Sequence, residues 1–301
     1  MLKKLIGITL TLALIAGCSS QKDEKAAAGT GGSHPAAAEK RTAGAAPETD
    51  PSGFMAELKE ELGNGYVIEY EKPFVIASNI SKSEFDRFKE QTIKDCAEAM
   101  YKDFFEKRPE GLFKVYLFKN AATYEEYCVK KFGHKPSSPY GFFRDDIDSL
   151  IMNIATGGGT LVHEMVHALI RPDFPDVPAW FNEGLGSLFE CCKIDGGSLR
   201  GEKNWRYPIL MDAADKNKLV PLRKLFATSD SEFYGDNSSA NYAQARYFCM
   251  YMQEKDCLPA FYRQFRDNFA GDKTGIKFIE SLFGKNIDAI DKEWREWIKT
   301  L

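Results

Sequence analysis

Apolar residues recur along this chain with two periods, one helical and one strand-like, and the order in which they alternate predicts the architecture. Phe54 to Leu62 reads as a short helix closed by Gly63, and Tyr66 to Ser78 as two β-rich runs broken at Lys72-Pro73. Ser81 and Glu84 form a capping box. Behind it Phe85, Phe88, Ile93, Cys96, Met100 and Phe104 recur at three- to five-residue steps, which predicts a long amphipathic helix to about Lys107 with that stripe in the core. Leu112 to Phe118 alternates as a strand, Ala121 to Phe132 is helical, and Gly133 to Gly141 is a turn-rich loop. Ser149 to Ile154 reads as a strand, Gly157-Gly158-Gly159 as a turn, and Thr160 to Ile170 as a helix that Arg171-Pro172 stops. A further helix starts at Pro178.

Beyond Gly197 the pattern turns mainly helical, at about 205–217, 221–227, 239–255, 258–269, 273–283 and 287–300, with no strand signal of comparable strength. Strands and helices first and helices afterwards predict an α+β fold: a mixed sheet and helix lobe packed on an α-helical lobe. A cleft would lie between them, with helix 160–170 as its floor.

Helix 160–170 carries the chemistry. His163-Glu164-Met165-Val166-His167 places two imidazoles four positions apart, on one helical face, where both reach a single tetrahedral Zn²⁺. Glu164, one position along, points toward the water such an ion would hold. The apolar flanks Leu161, Val162, Met165, Val166, Ala168, Leu169 and Ile170 are those of a buried helix. The chain has just four histidines. His34 and His134 fall in polar segments that read as solvated.

The N-terminus and the composition add an address. Lys3 and Lys4, the apolar run Leu5 to Ala16, and then Ile15-Ala16-Gly17-Cys18 read as an export signal, too short to span a bilayer. The segment resembles a bacterial lipoprotein signal peptide over residues 1–17, with Cys18 as the lipidated residue and Ser19 fitting outer-membrane sorting. Residues 18–53 are then a lipidated tether of Ala, Gly, Ser, Thr, Pro and scattered charges, with no apolar period to build a core and a reach of roughly 30 Å. Residues 54–301 are expected to form one domain, attached to the cell envelope by lipid.

Losing Lys3 and Lys4 with the signal takes the formal charge from -4 to -6, and the chain has no dense basic run. Both features argue against a nucleic-acid partner. Cys96, Cys128, Cys191, Cys192, Cys249 and Cys257 contain no C-x-x-C pair, which argues against zinc-ribbon ligation. The sequence does not choose among disulfide pairings, and buried thiols on helices suit Cys96 and Cys249 as well.

Beyond the histidine helix lies Pro178-Ala179-Trp180-Phe181-Asn182-Glu183-Gly184-Leu185. Together with His163-Glu164-x-x-His167 it resembles the gluzincin zinc metallopeptidases, in the clan with aminopeptidase-like Trp-x-x-Glu-Gly segments. Asn241-Tyr242-Ala243-Gln244-Ala245-Arg246-Tyr247-Phe248 and the helical tail through Trp294 and Trp297 are also similar to small bacterial domains of that clan, so the likeness covers roughly residues 66 to 301. The resemblance implies one Zn²⁺ per chain held by His163, His167 and Glu183, with Glu164 as general base. It also implies a zincin-like fold, a peptide or protein substrate, and Tyr242 as the donor to the transition-state oxyanion, with Tyr234 and Tyr207 as substitutes.

A rival third ligand is Asp173, six residues after His167, the spacing of metzincins. Those enzymes turn the chain at a glycine, and here that position is the β-branched Ile170, so Glu183 is preferred. Two departures stand out. Many gluzincins place Asp four residues after the ligand Glu to hold a ligand histidine; this chain has Ser187, leaving Asp173, Asp176 or a backbone carbonyl for the task. It also lacks the aminopeptidases' Gly-x-Met-Glu-Asn segment before His163. Strand 149–154 could accept an extended substrate on an exposed edge. The alternative to an enzyme is a zincin-fold binding or assembly lipoprotein without turnover; a third reading is an adhesion protein in which the motif is incidental.

Overall fold

The computed structural model describes residues 49–301; the signal segment, Cys18, His34 and the tether up to residue 48 lie outside the described residues. The fold is α+β. Its sheet contains β1 (Val67–Glu71), β2 (Phe74–Ser78), β3 (Phe113–Phe118), β4 (Gly141–Arg144) and β5 (Ser149–Asn153), in the spatial order β1-β2-β3-β5-β4. β2, β3 and β5 run parallel, and the outer strands β1 and β4 pair antiparallel to their neighbours. β2 and β5 are buried along their whole length because helices cover both faces of the sheet, which is why they read as unbroken apolar runs.

Strand alternation sorts the side chains onto those two faces. Val75, Ala77, Tyr116, Phe118 and Ile151 form a small core under α1 (Pro51–Leu62) and α4 (Ala121–Phe132). Phe74, Ile76, Val115, Leu117, Leu150 and Met152 face the larger core, which continues without a break to Ile298. α1 begins at Pro51, inside the segment read as tether, because Asp50 accepts from Ser52 N–H and proline suits a first helical position.

The amphipathic stripe from Phe85 is one helical run, α2 (Lys82–Arg87), a π-helical stretch Phe88–Lys94, and α3 (Asp95–Asp103). The five-residue step between Phe88 and Ile93 coincides with the π turn, whose i→i+5 bonding puts more residues in each turn and accommodates it. The run stops at Asp103, short of Lys107.

After β5 come α5 (Gly159–Ile170), α6 (Ala179–Phe189), a hairpin of β6 (Cys192–Asp195) and β7 (Ser198–Gly201), α7 (Arg206–Asp215), α8 (Leu222–Leu225), α9 (Asp230–Phe233), α10 (Ser238–Glu254), α11 (Leu258–Asn268), α12 (Ile276–Phe283) and α13 (Ile287–Ile298). The helical half thus opens with a hairpin that the periodicity missed. Each strand is only four residues long, too short for alternation to register, although Gly196-Gly197, both at positive φ, is a hairpin-turn signal. α10 is nearly all buried and packs across α6, α7 and α13. On it Arg246 donates from Nε to the Ser187 carbonyl at 3.0 Å, near the end of α6, and from Nη2 to that of Glu202, just after β7.

One expectation for the sheet is overturned. β5 has no free edge, since β3 pairs on one side and β4 on the other, so a substrate cannot extend the sheet from strand 149–154. The edge belongs to β4, whose first residue closes the segment read as a loop. Among the described residues no helix is long and apolar enough to cross a membrane, and Cys96, Cys128, Cys192 and Cys249 are buried thiols without a disulfide.

A candidate metal centre between two helices

α5 buries Leu161, Val162, Met165, Val166, Ala168, Leu169 and Ile170, which fixes its rotation and turns His163 and His167 toward α6. Glu183, on α6, meets them. Its Oε2 lies 3.1 Å from His163 Nε2 and 3.5 Å from His167 Nε2. Ligands at about 2.05 Å from a tetrahedral zinc are about 3.3 Å apart, so these separations suit one ion with two nitrogens and one carboxylate oxygen. All three side chains offer atoms within 4.8 Å of one another. Three protein donors would leave a fourth position of a tetrahedral ion open.

Close packing brings α6 to that distance. A Cβ on Gly184 would stand 2.9 Å from Cys249 Sγ and 3.0 Å from the Ala245 carbonyl, so this glycine lets α6 cross α10 closely. A Cβ on Gly186 would stand 3.1 Å from His163 Nε2, the nitrogen that faces Glu183. Gly186→Ala should therefore displace the imidazole and weaken metal binding by roughly tenfold or more, an effect comparable to losing an outer-shell partner. Metal titration of the variant measures it, with unchanged binding as the contrary result.

The far sides of the ligands are also held. His167 Nδ1 lies 2.9 Å from Asn182 Oδ1, which, as an acceptor, places the proton on Nδ1 and leaves Nε2 free to ligate. His163 Nδ1 lies 3.1 Å from Glu190 Oε1, in ion-pair range though not aligned as a hydrogen bond. The Tyr234 hydroxyl donates to Glu183 Oε1 at 2.7 Å, engaging the oxygen that the histidines do not use. Burial by itself would lower the His163 pKa, yet Glu183 and Glu190 outweigh it and raise it from 6.5 to about 10. Burial likewise opposes the charge on Glu183, but the two histidines hold its carboxyl well below the usual carboxylate range.

Glu164, on the same helix as both histidines, has a partner of its own. Its Oε2 accepts from the Phe143 N–H at 3.1 Å, on the edge strand β4. Phe142 and Arg144 pair inward with β5, so the Phe143 N–H points off the sheet edge toward the motif helix. Tyr242 is half-buried, with its ring 6.2 Å from that of Tyr234, and burial and the nearby Glu183 both push its pKa upward.

The remaining sequence candidates separate cleanly. Asp173 does not join the His163, His167 and Glu183 cluster: it accepts from Lys107 N–H at 2.7 Å, Tyr262 hydroxyl at 2.6 Å and Arg266 Nη1 at 2.8 Å. Asp176 is exposed, and Tyr207 donates to the Ile298 carbonyl at 2.9 Å. Ser187 is buried with no partner for its hydroxyl, and His134 is exposed. Sequence reading missed Glu190, Asn182 and Arg206. Glu190 stands seven residues after Glu183, two helical turns along the same face, so the spacing was there to be read; attention to the fourth position met Ser187 instead. Against protein-family profiles and against curated proteins, the sequence finds no match.

Proposed function

We propose that this chain is a zinc-dependent peptidase of gluzincin type, hydrolysing peptide bonds in proteins or peptides at the envelope surface to which its N-terminus is lipid-anchored. The convergence of His163 Nε2, His167 Nε2 and Glu183 Oε2, with Glu164 on the same helix, carries this reading. Bound Zn²⁺ would supply Lewis acidity, lowering a water's pKa to about 7 and polarising the scissile carbonyl. Glu164 takes the water's proton and returns it to the leaving amine. A purely structural zinc site has no use for that carboxylate, which favours an enzyme over a binding lipoprotein.

In this reading the cleft lies between β4 and the helices carrying the tyrosines, and an extended substrate runs along the β4 edge, where main-chain pairing gives little sequence selectivity. Glu164 then hands the Phe143 N–H to the substrate as it turns to the water. Tyr242 donates to the carbonyl oxygen as it gains charge, and Tyr234 holds the ligand carboxylate. The two phenols are thus expected to split. Tyr242→Phe should lower kcat by about 10²-fold with zinc retained. Tyr234→Phe should weaken zinc instead, by about tenfold. The reverse assignment would follow if Tyr234→Phe kept its zinc and lost turnover.

The reading as a whole is tested by metal analysis of the purified full-length chain together with cleavage of a mixed peptide pool. About one zinc per chain and chelator-sensitive cleavage are expected. Zinc without cleavage of any peptide would favour the binding lipoprotein, and absence of zinc would refute the reading.

A further inference from the structure

The site holds a second buried carboxylate that no ligand role accounts for. Glu190 caps the C-terminal end of α6, and its side chain is 13% exposed. Its Oε1 lies 3.1 Å from His163 Nδ1 and accepts from Arg206 Nη2 at 2.9 Å, while Oε2 accepts from Arg206 Nε at 3.1 Å and from Asn204 Nδ2 at 3.3 Å. Arg206 opens α7, equally buried, with its guanidinium 4.2 Å from the Trp205 ring and 4.9 Å from that of Tyr242. The fork-to-fork geometry and the aromatic faces leave the guanidinium little freedom.

A buried ion pair is poor value as mere scaffolding, because apolar side chains of similar volume usually stabilise as well or better. Its position explains its presence. The carboxylate faces the one nitrogen of His163 that points away from Glu183, and an imidazole with Nδ1–H turned to a carboxylate must present the Nε2 lone pair to the opposite side. Ser187, four residues after Glu183, has its hydroxyl buried and partnerless and cannot do this. At its Nδ1 His167 meets the neutral amide of Asn182 rather than a carboxylate, so the two histidines are not equivalent donors.

We infer that Glu190, clamped by Arg206, is the positioning residue that fixes His163 as an Nε2 metal ligand. The inference rests on the zinc reading above. It assigns the orienting task to the connection from α6 through the β6–β7 hairpin to α7, so a segment without any metal ligand sets the strength of one.

The test compares zinc affinity of the full-length chain, purified in detergent, by competition with a chromophoric chelator, and the visible spectrum of the Co²⁺-loaded protein, with thermal unfolding measured alongside. Glu190→Gln is isosteric, and Glu190→Leu combined with Arg206→Met removes both charges and fills the space. Both are expected to weaken zinc binding about 10- to 100-fold and to shift the Co²⁺ bands, the double variant doing so with unfolding near that of wild type. Arg206→Lys, which keeps the charge but loses the fork, should fall between them and wild type. Wild-type affinity and spectrum in whichever of these variants stays folded would overturn the inference while leaving the zinc reading intact, provided Glu183→Ala loses metal. A wild-type chain that takes up no zinc would remove both.

Discussion

Glu183→Ala should abolish stoichiometric zinc and all cleavage, whereas Glu164→Gln should keep the zinc and lose only turnover. Glu183 supplies one of three protein donors, and binding of roughly 10–16 kcal/mol shared among three gives each about 4 kcal/mol, or about 10³-fold in affinity. The substitution also strips His163 and His167 of the carboxylate that faces both at 3.1 and 3.5 Å, so the imidazoles lose their shared counter-charge. Glu164 is not hydrogen-bonded to either imidazole; its carboxylate accepts from the Phe143 N–H. An amide there preserves shape but cannot take a proton, and kcat is expected to drop by about 10²- to 10⁴-fold. Metal content by mass spectrometry and peptide cleavage on the same samples read both. Full zinc in Glu183→Ala would show that Glu183 is not a ligand.

The second large effect is on stability, and it belongs to the rejected ligand. Asp173→Ala should destabilise the fold by roughly 3–5 kcal/mol, about 10 °C in Tm for a domain of this size, with zinc per folded chain unchanged. The carboxylate is fully buried and ties three parts of the chain together: the segment after α3 through the Lys107 N–H, the loop after the histidine helix, and α11 through Tyr262 and Arg266. Removing it leaves two backbone N–H groups, a hydroxyl and an arginine facing a gap. Burial pushes the Asp173 pKa up, but Tyr262, Arg266 and the Lys107 N–H outweigh it and hold it below the ordinary 3.8. The unfolded chain therefore binds this proton more tightly than the folded one. The stabilisation is complete above the ordinary value and is lost as pH falls through the depressed one, so wild type should lose Tm as pH is lowered past the ordinary carboxylate value and the variant less so. Equal acid sensitivity in the two would place the effect on other carboxylates.

Asp173 also marks the limit of spacing arguments. It sits six residues after His167, and the helix runs to Ile170, whose β-branched side chain disfavours the positive φ of a glycine turn. The chain then carries Asp173 past the two histidines into the core, while Glu183 returns on the next helix. The same limit applies to the sheet. Ser149–Asn153 was legible as a strand from its composition, but its place inside the sheet depends on β4, four residues whose pairing no local pattern announced.

What the sequence by itself determined is whatever a single element contains. His163, Glu164 and His167 share a face because four residues make about one helical turn, and the apolar flanks settle which face is buried. The strand and helix order and the α+β class follow from periodicity in the same way. Tertiary structure decided everything that joins elements: that Glu183 rather than Asp173 meets the histidines, that Tyr234 rather than Tyr207 touches the ligand carboxylate, and that Glu190 and Arg206, from the far end of α6 and the start of α7, stand behind His163. These convergences are set by how closely α6 crosses α5 and α10, a distance fixed by the missing side chains of Gly184 and Gly186, and periodicity along one element carries no information about its separation from another.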